Sequence, residues 1–213
     1  MGMTGFRIAG AGLLSLALSG GATPTMAQTP PPPNPIPLVV IHTDAGDIAL
    51  GLNIHQAPAT VCNFLRYVQA GRYVGGSFFR TVVAGTNANP NPIDVIQAAT
   101  PAGSDDAGFG PIALERTRDT GLSHRAGVIS MARDGPDSAT SSFFIVVEDA
   151  PALDFGGGRN PDGQGFAAFG YVAAGMEVVR AIQALPATDE AINTPVEILE
   201  VRLETEAPSQ CRQ

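Results

Sequence analysis

The chain is predicted to be a mainly β protein, a closed eight-stranded antiparallel β-barrel capped by two α-helices. Roughly eight short apolar runs punctuated by Gly and Pro point to many short strands. Two segments show helical spacing instead, and no internal repeat divides the chain.

Taken in order, residues 38–43 and 47–52 flank Asp44-Ala45-Gly46, a hairpin signal. Between 59 and 70, Val61, Phe64, Leu65 and Val68 recur at the i, i+3, i+4, i+7 positions of one helical face, and Gly71 is a natural stop. Strands are expected at 76–83 and 95–99. Residues 127–131 and 143–147 are apolar runs joined by the small and polar residues of 133–138, which predicts paired strands. A strand at 166–172 leads to a second amphipathic helix at 175–185, with Met176, Val179 and Ile182 on one side. Residues 196–204 alternate apolar and polar, as a half-buried strand does.

The ends read differently. Arg7, an apolar run over 8–18 and Thr25-Met26-Ala27 before Gln28 have the form of an export signal, assigned to residues 1–27. Residues 28–37 form a proline-rich, extended linker, 38–205 the folded domain and 206–213 a C-terminal tail. The mature protein is expected to be periplasmic or secreted, monomeric and not held in a membrane, since no later segment reaches about 18 apolar residues. All 12 basic residues are Arg, set against 20 acidic ones, and the net charge of −8 argues against nucleic acid or an anionic membrane as partner. In an oxidising compartment Cys62 and Cys211 could pair. The reading the sequence favours is a buried Cys62 and a loose Cys211, because spacing alone does not supply disulfide geometry.

One set of motifs carries chemistry. Phe78-Phe79-Arg80, Val95-Ile96-Gln97-Ala98-Ala99, Ile129-Ser130-Met131-Ala132 and Ser142-Phe143-Phe144-Ile145 occur in that order. Leu153-Asp154, Ala168-Phe169-Gly170 and Gly175-Met176-Glu177-Val178-Val179 continue the series. Together they resemble the cyclophilins, the peptidyl-prolyl cis-trans isomerases. The resemblance runs from about Val39 to Glu204 and implies that proline-containing polypeptides are the partners.

It also implies roles. Arg80 would be the catalytic group, acting beside the prolyl nitrogen. Met131, Phe144 and Leu153 would line a proline pocket, with Phe78 packed behind Arg80. Gln97 would position the arginine and the substrate backbone. Ala132 and Arg133 would meet the extended peptide through their main chain. The chain departs from the family at Ser142, where a glutamine is usual, and at Phe166, where a histidine is usual; both remain expected substrate contacts. It also carries extra loops at 84–93 and 156–165.

The reaction itself calls for neither cofactor nor metal. Twisting a peptide bond costs about 18–20 kcal/mol because nitrogen donates into the carbonyl, so a pocket for the ring and a donor that favours the twisted bond suffice. Arg159-Asn160-Pro161-Asp162-Gly163 lacks the spaced carboxylates of a calcium loop, and His42, His55 and His124 lack ligand spacing. No G-x-S-x-G elbow supports a hydrolase at Ser123-His124. The expectation is an isomerase that assists folding of exported proteins; the alternative is a chaperone-like peptide-binding module with weak or no isomerase activity.

Overall fold

β1 (Leu38–Thr43) and β2 (Gly46–Leu52) form the expected hairpin, turning through Asp44 and Ala45 with Thr43 opposite Gly46. They belong to a computed structural model that describes residues 1–2, 36–102 and 108–212. The expected leader, apart from its first two residues, and the linker up to residue 35 lie outside the described residues. The remaining strands are β3 (Ser77–Val82), β4 (Val95–Ala99), β5 (Val128–Met131), β6 (Phe143–Val146), β7 (Ala167–Ala174), β8 (Ala187–Thr188) and β9 (Ala191–Leu203). They run β1-β2-β7-β5-β6-β4-β3-β9, and β9 returns to pair with β1, so eight antiparallel strands close into the barrel. β8 is a two-residue addition paired with β9.

The expected helices are α1 (Pro58–Gln69) and α3 (Met176–Gln183). Between them lies α2 (Thr117–Thr120), a single turn too short to leave a periodic signature. Helix α1 begins on Pro58, whose missing N–H is no loss in a first turn. Two of its orphan amides, on Ala59 and Thr60, donate to the Glu115 carboxylate at 3.1 and 2.7 Å. Its predicted apolar face is fully committed, with Val61, Phe64, Leu65 and Val68 all buried. Phe64 meets Tyr73, Phe143 and Phe169 at centroid distances of 5.4, 5.5 and 5.3 Å. These aromatic contacts fill the interior under the helix. At the α3 side Val179 and Ile182 are fully buried, and Gly71 ends α1 at φ +65°, in the left-handed region glycine favours.

The cysteines overturn the favoured sequence reading. Cys62 on α1 and Cys211 in the tail are joined as a disulfide, with Cα atoms 5.0 Å apart. The physical reason is spatial: Gln210 Nε2 donates to the Ile54 carbonyl, so the tail folds back along the start of α1. The bond spans 149 residues of sequence, and a crosslink across a loop of that size contributes on the order of 2–4 kcal/mol. Cys62→Ala with Cys211→Ala should therefore lower the thermal midpoint by several degrees in a circular-dichroism melt, whereas an unchanged midpoint would show that the bond adds no stability.

Candidate active site

Strand alternation decides which side chains leave the barrel interior. On β4, Ile96 and Ala98 point into the core while Val95 and Gln97 face outward; on β6, Phe143 and Ile145 point in while Phe144 and Val146 face outward. Gln97 lies directly opposite Phe144. The outward residues Val95, Phe144 and Val146, with Ile93, Leu153 and partly buried Phe166, belong to a second apolar cluster separate from the core.

Arg80 reaches this face through a bulge. Phe78 pairs with Ala98 and Arg80 pairs with Gln97, so Phe79 is an extra residue in β3. Regular alternation would put Phe78 and Arg80 on the same side; the inserted residue reverses that. Phe78 stays inside, edge-on to Phe143 at 6.0 Å, and Arg80 turns out beside Gln97.

A groove of about 310 Å³ results, with Val95, Ile93, Phe144, Leu153 and Phe166 as its apolar side and Arg80, Gln97 and Ser142 at its polar end. Phe144 and Phe166 meet edge to face at 5.6 Å. The polar end is one directed chain. Ser142 Oγ donates to the Ala98 carbonyl (3.0 Å) and accepts from Gln97 Nε2 (3.1 Å). Gln97 Oε1 in turn accepts from Arg80 Nη1 at 2.8 Å. On its other edge Arg80 donates from Nε (3.0 Å) and Nη2 (2.5 Å) to Glu190 Oε2, while Asn87 Nδ2 donates to Glu190 Oε1. A guanidinium has five N–H donors, so one hydrogen on each terminal nitrogen is left for a substrate.

Burial pushes the Glu190 carboxyl upward, but the hydrogen bonds from Arg80 and Asn87 together outweigh it and leave the group below its ordinary range. A lowered carboxylate pKa means the stabilisation from ionised Glu190 is complete at neutral pH. It is lost as pH falls through that lowered value.

Among the residues expected from sequence, Arg80, Gln97, Ala132, Arg133, Ser142, Phe144, Leu153 and Phe166 line the groove. Two expected substrate contacts do not. Met131 pairs with Phe143, faces the interior with it and is 1% exposed; Phe78 is likewise wholly interior. Val95 and Ile93 line the groove as well. Arg133 lines the groove but is engaged elsewhere. Its guanidinium forks onto Asp162 (2.7 and 2.9 Å) and the Gly165 carbonyl, above the Phe166 ring. Ala132 N–H is taken by the Ser142 carbonyl at 2.9 Å.

Glu190 escaped the sequence reading. It sits with Asp189 in the turn between β8 and β9, and both have positive φ, 50° and 68°. The usual Asn-Gly or Asp-Gly signal of such a turn is missing. Val95 was visible in the strand, and its alternation with Ile96 could have placed it outward.

A triad-like array also appears. His124 Nδ1 lies 2.7 Å from Asp154 Oδ1, and Nε2 lies 2.9 Å from Ser130 Oγ. Ser130 is fully buried, so its hydroxyl cannot meet a substrate. The imidazole stacks behind Phe144, with ring centroids 6.1 Å apart, and braces the pocket wall.

The family model described as "Cyclophilin type peptidyl-prolyl cis-trans isomerase/CLD" matches residues 38–203. A peptidyl-prolyl cis-trans isomerase of Streptomyces antibioticus is 37% identical over 150 residues, covering 68% of this chain and 82% of that protein. Peptidyl-prolyl cis-trans isomerase A of Dickeya dadantii is 40% identical over 143 residues, 66% of this chain and 67% of its own. A Cryptosporidium parvum cyclophilin-type isomerase superposes with a TM-score of 0.66 at 23% identity, covering 81% of this chain and 99% of that one. A further structure of that protein, determined in the presence of the dipeptide Ala-Pro, gives 0.65 at 22% identity, over 79% of this chain and 99% of that one.

The Arg80–Glu190 pair can be followed by the Arg80 Nε chemical shift. It should report a Glu190 titration whose midpoint lies below the ordinary glutamate value. In Glu190→Gln the titration should vanish. A wild-type midpoint at or above the ordinary value would contradict the hydrogen-bonded carboxylate.

Proposed function

The chain belongs to the cyclophilin-type peptidyl-prolyl cis-trans isomerases, and we propose that it twists X-Pro bonds of exported polypeptides in the groove beside Arg80. The observation that carries the assignment of the site is the side-by-side placement of Arg80 and an apolar pocket, joined by Gln97.

The chemistry follows from what that placement can do. The proline ring enters among Val95, Phe144, Leu153 and Phe166, where burying its methylenes gives roughly 0.8 kcal/mol each. As the bond twists, the prolyl nitrogen becomes pyramidal and recovers its lone pair. The remaining Arg80 hydrogens are donors to that developing charge, and they oppose its return to the carbonyl. Gln97 and Glu190 hold the guanidinium before substrate arrives, so reorganisation during the reaction is small. Ser142 contributes by orienting the Gln97 amide instead of reaching the substrate itself.

Export is supported by the form of residues 1–27 and by the Cys62–Cys211 disulfide, since such bonds persist in oxidising compartments. In that setting the clients are unfolded secreted chains, whose X-Pro bonds exchange over tens to hundreds of seconds unaided.

Two measurements test these statements. Arg80→Ala should cut kcat/KM for a model X-Pro peptide by about 10²–10³-fold, read by NMR exchange; an unchanged rate rejects Arg80. A wild type that binds the peptide without speeding its isomerisation would instead be a peptide-binding module. Expressed in a bacterium with its leader, the protein should be recovered from the periplasm with Gln28 as its first residue, and retention of Met1 in the cytoplasm would remove the export reading.

A further inference from the structure

The loops at 84–93 and 156–165 meet at the rim of the groove. Asn91 Nδ2 donates to the Gly158 carbonyl at 2.9 Å, and Arg159 Nη1 donates back to the Asn91 carbonyl at 3.2 Å. The second loop is fixed from beneath. Arg133 binds Asp162 and the Gly165 carbonyl, and Arg116 Nε donates to Gln164 Oε1 at 2.7 Å. Gly157 packs so closely that a Cβ there would sit 2.4 Å from the Ala152 carbonyl oxygen. Arg159 therefore stands on an anchored loop, and it lines the same groove as Arg80.

The charge pattern there is unlike the rest of the molecule. The groove is lined by three guanidiniums, Arg80, Arg133 and Arg159, against one carboxylate, Asp134, in a chain of net charge −8. Arg80 is paired with Glu190 and Arg133 with Asp162, but no carboxylate among the described residues pairs with Arg159. Burial pulls the Arg159 guanidinium below its ordinary pKa; Glu190 opposes this through space and Arg80 adds to it. A partly desolvated cation held by a neutral carbonyl and not by a carboxylate is an unfavourable arrangement that an anionic occupant would offset.

We propose that Arg159 is a specificity-determining residue that selects X-Pro sequences carrying an acidic side chain near the proline. The inference rests on the isomerase reading of the groove and names its substrate class. A client carboxylate would accept from the Arg159 hydrogens not given to Asn91, in the two-pronged geometry that guanidinium and carboxylate share. A basic side chain at the same place would be repelled by the Arg159 guanidinium, the one groove cation not paired with a carboxylate among the described residues.

The test uses the full mature chain and peptides with uncharged ends, each holding Glu, Gln or Lys at one of the two positions on either side of the proline. At one position kcat/KM should be about tenfold higher for Glu than for Gln, the scale of one charge-assisted hydrogen bond. Lys should fall below Gln, and the preference should shrink as salt is raised. Arg159→Gln should bring the Glu-to-Gln ratio to about one, and Arg159→Lys should keep part of it. A ratio of one in the wild type, or a preference that survives Arg159→Gln, overturns the proposal. Failure of the wild type to accelerate any of the peptides would overturn the isomerase reading beneath it, a result distinct from equal acceleration of all.

Discussion

One extra residue in β3 governs the site. A strand presents alternate side chains to opposite faces, so Phe78 and Arg80 would share a face in regular pairing. The bulge at Phe79 separates them and lets the core keep an aromatic ring while the adjacent surface gains a cation. β9 accommodates the same distortion. It pairs with Phe78 at Val196 and with Arg80 at Ala191, and the intervening residues, including Pro195, fall in the irregular stretch where a proline is tolerated. Everything else at the site is arranged around where that guanidinium emerges.

The arrangement divides labour between two layers. Inside, the aromatic rings and both capping helices hold the barrel rigid. Outside, a short relay running from the Ala98 carbonyl through Ser142, Gln97 and Arg80 to Glu190 fixes the guanidinium beside the apolar pocket. Each link uses a donor or acceptor that would otherwise be left unmatched in a partly buried place. Glu190 lowers the cost of holding the cation against an apolar wall, while leaving hydrogens directed away from it.

Much of this was legible in the residues. Period-two alternation marked the strands, and 3.6-residue spacing marked Val61, Phe64, Leu65 and Val68 as one buried face. The ordered motifs located Arg80, Gln97, Phe144 and Leu153. What failed was facing. Met131 and Phe144 border the same loop, yet Met131 pairs with Phe143 and turns inward, and no property of methionine indicates which way its strand is rotated. Glu190 was hidden because its turn has no glycine, and positive φ at Asp189 and Glu190 is imposed by tertiary context. The disulfide was hidden for a related reason: residues 149 positions apart approach only once the whole fold exists.

Barrel closure has a consequence for the order of events during synthesis. β1 is the first strand to emerge and its partner β9 is the last, so the seam cannot form on a partial chain. Glu190 lies at the head of that final strand, which means the orientation of Arg80 is also completed at the end. The molecule therefore cannot catalyse isomerisation at its own prolines while it folds. Until the seam closes, its own X-Pro bonds exchange at the slow uncatalysed rate unless a finished isomerase acts on them.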